Sequence, residues 1–439
     1  MNPDVHLFES AVGWHALAVD GSRIYDLDEA STQALLGAVS DRQTTATLLS
    51  SLGIQRAQPY IDAAPIDPPP VRGLSLAVSS TCNLACSYCY AQQGTFGGSS
   101  KPMPWSVAMQ AIDRLLDGAE AGGSVNIAFL GGEPLINRPL VREATRYALE
   151  RGAIRGVAPR FSITSNGTLI ERSDAEFFDT YGFSVTVSLD GIGAAHDRQR
   201  PFRGGGSSYD RILECLAFLL ERQRRMQVSA RVTVTPHSDD LVSTLDRFIR
   251  AGFHSVGFAP VLASPGGRDE LEPTHLVRVL DEMIACGHEF ERRVSAGDRY
   301  PFSNMESAMR QLHRGTHRPY PCGAGAGYLG VSSDGGLFAC HRFVGDSRAA
   351  LGGVSSGPDE ARRTIWLTER HVDRQDPCGQ CWARYLCGGG CHHEVINRGR
   401  PACDFIRGWL QYCLQAYVQL LERRPEYFGE PRTAACAPA

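Results

Sequence analysis

A chain of 439 residues, 43% hydrophobic and 21% charged with a formal charge of -4, has the make-up of an ordinary globular protein of about two to four domains. That charge gives no electrostatic reason to expect nucleic acid, and no apolar run is long enough to span a bilayer. The amino terminus, Met1-Asn2-Pro3-Asp4-Val5-His6, lacks the basic-then-apolar pattern of a secretion signal. The 14 cysteines cluster rather than scatter, which in a chain with no evident export signal favours metal ligation over disulfides and a cytoplasmic setting. Lys101, the only lysine, sits in neither a P-loop nor a Schiff-base context.

Residues 1–65 read as a separate small module. His6–Glu9, Trp14–Asp20 and Ser22–Leu27 are expected as short strands, followed by a helix capped at Asp28-Glu29 and running to about Val39, then a second near Thr44–Ser51. Pro59 to Pro70 reads as a stiff linker. From Leu74 strands and helices alternate. Strands are expected at Leu74–Ser79, Val125–Leu130, Phe161–Thr164, Ser184–Leu189, Val228–Val234 and Val256–Pro260. Helices between them include Trp105–Glu120, Leu140–Arg151, Tyr209–Arg225 and Leu241–Arg250. This alternation predicts an α/β fold with a parallel sheet and a site at the carboxyl ends of its strands.

The stretch at the end of the first of these strands carries the chemistry. Ser79-Ser80-Thr81-Cys82-Asn83-Leu84-Ala85-Cys86-Ser87-Tyr88-Cys89-Tyr90 places three cysteines at CxxxCxxC spacing. Three thiolates on one loop can hold three corners of a [4Fe–4S] cube and leave the fourth iron open. A zinc loop with a distant fourth ligand, or three thiols without metal, are the alternatives. Gly131-Gly132-Glu133-Pro134 ends the second strand as a tight turn that admits close backbone approach, and Ser165-Asn166-Gly167 ends the third. Taken alone, Asn166 is a left-handed turn residue and Arg200 a surface charge in a Gly-rich loop. The tail holds Cys322, Cys340, then Cys378-x2-Cys381-x5-Cys387-x3-Cys391, and Cys403, a pattern that a zinc ribbon could also explain. Cys215, Cys286 and Cys413 lie on apolar helical stripes and read as core, whereas Cys436 falls in an Ala/Pro-rich terminal tail.

Over roughly residues 70–425 these motifs, in this order, resemble the radical S-adenosylmethionine (SAM) superfamily, and within it the SPASM-domain peptide maturases. The resemblance implies a partial (β/α)6 TIM barrel over 71–300, a cysteine-rich SPASM domain over 301–425, a terminal tail over 426–439 and a winged-helix-like peptide-recognition module over 1–65. It implies that Cys82, Cys86 and Cys89 hold the SAM-binding cluster. Tyr88, Gly131, Gly132, Glu133, Asn166, Ser188 and Arg200 match positions that surround SAM. Two auxiliary [4Fe–4S] clusters are implied, an outer one on Cys378, Cys381, Cys387 and Cys403 and an inner one on Cys322, Cys340 and Cys391. Spacing alone does not establish that partition. An incomplete inner set would leave an iron open to a substrate thiol. His341, His392 and His393 are other candidates for that position, each also readable as an exposed histidine.

The family's chemistry is cleavage of SAM to methionine and a 5′-deoxyadenosyl radical, which abstracts hydrogen from a peptide carbon. The expected product is a cysteine thioether in a ribosomally made peptide or small protein subunit, for example of the quinohemoprotein amine dehydrogenase type. A carbon–carbon cross-link or an oxidised side chain is the alternative. From another class comes a non-catalytic iron–sulfur electron carrier or zinc scaffold. The sulfatase-maturating relatives carry an aspartate where this chain has His341, and a further cysteine soon after the first of the tail, which argues against sulfatase maturation. A leader peptide on the edge strand of residues 1–65 and an electron donor such as flavodoxin or ferredoxin are the implied partners.

Overall fold

The computed structural model describes residues 3–54, 67–98 and 100–429. Most of the proline-rich linker and Cys436 therefore lie outside the described residues. The chain forms two compact units that interleave in sequence. One comprises Met1–Ile66, Pro273–Cys322 and Thr368–Ala439, the other Asp67–Glu272 and Gly323–Leu367.

The first unit begins with an antiparallel meander of β1 (Val5–Ser10), β2 (Gly13–Ala18) and β3 (Arg23–Leu27). The helices α1 (Glu29–Ala38) and α2 (Arg42–Ser51) follow. The first starts as the sequence predicts, and the second begins two residues before the expected Thr44. Asp28 accepts from the Ser31 N–H at 2.7 Å and Asp41 from the Thr44 N–H at 3.0 Å, satisfying amides that have no partner inside the helix. Val5, Ala16, Ala18, Leu35, Leu49 and Ile54 close a small core between sheet and helices.

The second unit is a parallel sheet with helices. Its strands are β4 (Gly73–Ser79), β5 (Ser124–Gly131), β6 (Ala158–Ser165), β7 (Ser184–Ser188), β8 (Gln227–Val234) and β9 (Ser255–Pro260). They pair in sequence order, every neighbour parallel. The connecting helices are α3 (Trp105–Asp117), α4 (Arg138–Arg155), α5 (Arg172–Thr180), α6 (Ala194–Gln199), α7 (Tyr209–Leu220) and α8 (Leu241–Arg250). All seven residues of β4 are buried, as a strand covered on both faces requires. In α8, Leu241, Leu245 and Phe248 turn one apolar stripe inward. Helix α7 ends earlier than its sequence pattern suggests. Asp179 accepts the backbone N–H groups of Arg224, Arg225 and Met226, so the chain turns there instead of continuing to coil.

After α9 (Pro273–Ala296) and α10 (Ser303–Arg314), which belong to the first unit, the chain returns to the sheet. Strand β10 (Tyr328–Val331) pairs parallel to β4, and β11 (Gly336–Phe338), β12 (Ala350–Gly353) and β13 (Gly357–Pro358) extend that edge antiparallel, giving a ten-stranded sheet. Four shorter or later helices follow: α11 (Glu360–Arg370), α12 (Arg384–Cys387), α13 (His392–Arg398) and α14 (Cys403–Arg423). Within the first unit α9 and α14 approach closely, because Gly287 leaves room for the Tyr412 ring where a Cβ would lie 2.3 Å from it. Helix α14 also holds β1, with the Gln415 amide donating to the Glu9 carbonyl at 2.9 Å. Cys215, Cys286 and Cys413 are buried core residues, in agreement with their apolar stripes.

Phe183, wholly buried, sits among Phe129, Phe161, Phe177 and Phe178, with ring centroids 5.0 to 6.1 Å away. Truncating such a ring removes both its own burial and its neighbours' contacts. Phe183→Ala is expected to cost about 3–5 kcal/mol of stability, read as a lower urea midpoint at unchanged slope.

Candidate functional site

The cysteine loop leaves the carboxyl end of β4 and is fixed from two sides. On one side, Gly131 and Gly132 turn so that their neighbours hydrogen-bond into it: the Gly132 N–H donates to the Ser79 carbonyl and the Glu133 N–H to the Thr81 carbonyl, both at 2.8 Å. Only glycine fits. A Cβ on Gly131, whose φ is +148°, would lie 2.3 Å from the Ser79 oxygen, and one on Gly132 2.2 Å from the Thr81 oxygen. On the other side the loop pairs with residues 199–203. The Ala85 N–H donates to the Pro201 carbonyl at 2.8 Å and the Arg203 N–H to the Asn83 carbonyl at 3.0 Å, while Leu84 bridges to Phe202.

This pairing carries Arg200 to the thiols. Its side chain is buried beside Cys86, and its Nη1 donates to the Tyr88 hydroxyl at 2.6 Å and reaches an Asp190 oxygen at 3.4 Å. Tyr88 in turn donates to that same Asp190 oxygen. The other oxygen of Asp190 accepts the Thr233 N–H at 2.8 Å. Asp190 was not singled out from sequence; its place in Ser188-Leu189-Asp190-Gly191, at a strand end, is the signal that marks it. Arg200 is thus no surface charge, because burial and a fixed carboxylate hold it. Its Nε is buried and has no hydrogen-bond partner among the described residues.

Cys82, Cys86 and Cys89 are brought within electrostatic reach of one another. Burial pushes the Cys86 thiol up to about 12, against the pull of Arg200, and raises Cys82 as well. Left alone, the Cys82 and Cys86 sulfurs stay protonated; a bound cation is what makes thiolates of such groups. Among the described residues no three His, Cys, Asp or Glu side chains stand at the spacing of one bound ion, whereas a cube places each thiolate on a different iron. The Cys82 sulfur accepts from the Leu84 N–H at 3.4 Å and from the Asn166 amide at 3.6 Å. Asn166 also bonds Asn83 and Thr168, and it is Gly167, at φ +83°, that takes the left-handed turn. Glu133, wholly buried, accepts from the Leu135 N–H, the Ser165 hydroxyl and the Asn166 N–H at 3.0, 2.9 and 2.7 Å. Desolvation pushes its carboxyl up and those three donors pull it back. Its evident work is to tie the ends of β5 and β6 together. Ser188 is half-buried at the end of β7.

A second set of thiols converges in the cysteine-rich region. Cys378, Cys381, Cys387 and Cys403 stand within electrostatic reach of each other, Cys378 pushed up to about 11 by burial. Cys322 and Cys391 lie in the same compact unit as these, and Cys340 in the other. The histidines differ from the exposed reading. His392 is buried, and His341 is half-buried, its Nδ1 2.7 Å from the Tyr328 hydroxyl, which is itself 2.6 Å from the Ser75 hydroxyl. Burial lowers both to about 4, so each is neutral near pH 7. His393 is half-buried.

His196 supports the loop that carries Arg200. Its Nδ1 accepts the Asp190 N–H at 3.1 Å, so the proton sits on Nε2 and is donated to the Ser208 hydroxyl at 3.1 Å; Ser208 donates onward to the Arg200 carbonyl at 2.6 Å. Burial lowers His196 to about 4. Between pH 6.5 and about 4 the unfolded chain binds a proton here that the folded chain refuses, so stability is present above pH 6.5 and falls as pH drops through that window. His196→Gln is expected to lose less of its denaturant midpoint between pH 7 and pH 5 than the parent chain.

The comparisons with known proteins agree with this geometry. The Radical SAM superfamily profile matches residues 76–261, from within β4 to just past β9. The chain is 25% identical over 374 residues to a serine-type anaerobic sulfatase-maturating enzyme of Klebsiella aerogenes, covering 82% of this chain and 89% of that protein. Among solved structures, anSMEcpe with bound AdoMet and Cp18Cys peptide superposes with a TM-score of 0.63 at 20% identity, over 81% of this chain and 99% of that one. SuiB of Streptococcus suis superposes at 0.52 and 14% identity, over 91% and 96%. The fold is accordingly the partial barrel of that group, whose family binds a [4Fe–4S] cluster and SAM. Residues 76–261 are thus a radical SAM domain.

Proposed function

We propose that this protein is a SPASM-type maturase that modifies a peptide or small protein through a 5′-deoxyadenosyl radical. The observation that supports it most is the convergence of Cys82, Cys86 and Cys89 with the buried Arg200–Tyr88–Asp190 group and the Gly131-Gly132 turn at one strand end. When bound and reduced, a cluster on those thiols supplies the electron that splits SAM. Three ligands leave one iron for SAM. Arg200, with a buried and unpaired Nε, is the group we assign to the SAM carboxylate. The Gly131–Glu133 turn is assigned to the SAM amino group, its backbone admitted by the two glycines and its shape held by Glu133. Asn166 and Tyr88 are read as positioning residues, one against the Cys82 sulfur and the other between Arg200 and Asp190.

For the product we favour a cysteine thioether. The support is the ligand count that the resemblance implies for the inner set, in which three cysteines, Cys322, Cys340 and Cys391, would leave one iron for a substrate thiolate. The competing reading, oxidation of a single side chain, is favoured by the likeness to the sulfatase-maturating enzyme, although this chain carries His341 after Cys340. We retain the four-part division by role: peptide recognition at 1–65, SAM chemistry at 71–300, auxiliary clusters at 301–425, and a tail at 426–439. In the first part, α14 engages β1, so an added peptide strand belongs on β3. A cytoplasmic setting with a flavodoxin- or ferredoxin-like donor fits iron–sulfur chemistry. Among the described residues no helix is long and apolar enough to cross a membrane.

Anaerobically reconstituted protein with a strong reductant is expected to release 5′-deoxyadenosine from SAM, and Cys86→Ala to release none above background; equal release by both would refute the assignment. Arg200→Gln is expected to weaken SAM binding more than tenfold while leaving iron content intact. With a cysteine-bearing peptide from a neighbouring reading frame, mass spectrometry is expected to show the loss of two hydrogens and a cysteine closed to alkylation. The same mass loss with the cysteine still open identifies the oxidised side chain or carbon–carbon link instead.

A further inference from the structure

The surroundings of the four converging thiols in the cysteine-rich region are strongly one-sided in charge. Arg407 stands beside the Cys381 sulfur, its charge favoured by it. Arg400 stands beside Cys378 and is held in place by donating to the Gly389 carbonyl and, at 2.5 Å, to the Gln375 side chain. The N–H groups of Gly389 and Gly390 lie on the Cys387 sulfur's side of the turn and favour its charged form. Those amides can face one sulfur because Gly388, Gly389 and Gly390 all take positive φ, at 71°, 89° and 79°. A Cβ on Gly388 would lie 2.4 Å from the Pro321 nitrogen, so that turn is fixed by packing as well. The acidic partner of Arg407 is Asp404, whose side chain is 98% exposed and therefore screened by solvent.

We propose that Arg400, Arg407 and the Gly389–Gly390 amides are positioning groups that raise the reduction potential of the cluster on Cys378, Cys381, Cys387 and Cys403, and so set how readily it takes up the electron that the reaction releases. The inference rests on the ligand reading above. Adding an electron makes a thiolate-bound cluster more negative, and cations and N–H donors at its sulfurs favour that state. The reaction needs an electron acceptor. Joining carbon to sulfur from C–H and S–H sends one hydrogen atom to the 5′-deoxyadenosyl radical, one proton to solvent and one electron to the cluster. Oxidising a carbon alone releases the same single electron after the hydrogen atom has left.

The test is an EPR-monitored redox titration of the full chain, reconstituted anaerobically, with Cys82, Cys86 and Cys89 replaced by Ala to silence the SAM-binding set. The outer transition is identified by its loss in Cys378→Ala. Arg407→Gln is expected to lower the reduction equilibrium constant about tenfold, a shift of about 59 mV for one electron. Arg407→Lys, which keeps the charge, is expected to recover most of it. Arg400→Gln is expected to shift in the same direction. If it loses iron, having given up its bonds to Gly389 and Gln375, the Arg407 pair decides. An unchanged potential in Arg407→Gln at full iron content overturns the proposal. Absence of any outer transition in the parent chain overturns the ligand reading instead.

Discussion

Burying an arginine beside a cysteine sulfur, away from water, is the constraint around which the barrel mouth is built. Neither Arg200 nor Cys86 is comfortable there alone: desolvation opposes the charge of the first and keeps the second protonated. Asp190 and Tyr88 answer part of that cost by hydrogen bonding, and Asp190 is itself buried and fixed between the ends of β7 and β8. The result is a buried cation held at the strand ends beside the cysteine thiols, at the price of groups that have little other reason to be buried. Loops elsewhere in the unit serve this arrangement. The pairing of residues 83–85 with 201–203 and the His196–Ser208 relay both act to hold one guanidinium in place.

Much of the fold was legible beforehand because its signals are local. The strands of the parallel sheet are apolar runs bounded by turn residues, and each falls within about three residues of its expected limits. Asp28 and the helix start after it were readable for the same reason, since a capping carboxylate acts over three residues. The edge extension β10–β13 was not. Its strands are two to four residues long and rich in glycine, and what makes them strands is pairing with β4 and with each other, which no short window of sequence contains. Helix α7 failed at its end because Asp179, more than forty positions away, captures the following amides.

The site shows the same division. The cysteine spacing and the Gly131-Gly132 turn are written in consecutive residues, and the resemblance they carry agrees with the superfamily match. The contacts of Arg200 and Asp190 depend on how distant segments meet, so the residues alone made the first a surface charge, only the resemblance placed it near SAM, and the second was read only as part of Ser188-Leu189-Asp190-Gly191. His392 looked exposed because it sits in the polar run Cys391-His392-His393-Glu394, yet it is buried. Polarity of neighbours in sequence says little about burial when a short helix packs one face inward.

The parallel pairing of β10 with β4 has an outcome in time as well as space. Ser75 and Tyr328, which hydrogen-bond across that pair, are 253 positions apart. During synthesis the strand that launches the cysteine loop therefore emerges long before the neighbour that seals its outer edge. For that interval β4 presents the unpaired amides and carbonyls of one edge to any passing chain. The order in which the sheet closes is thus inscribed in its strand order, with β4 paired on both edges only after the chain past Tyr328 has been made.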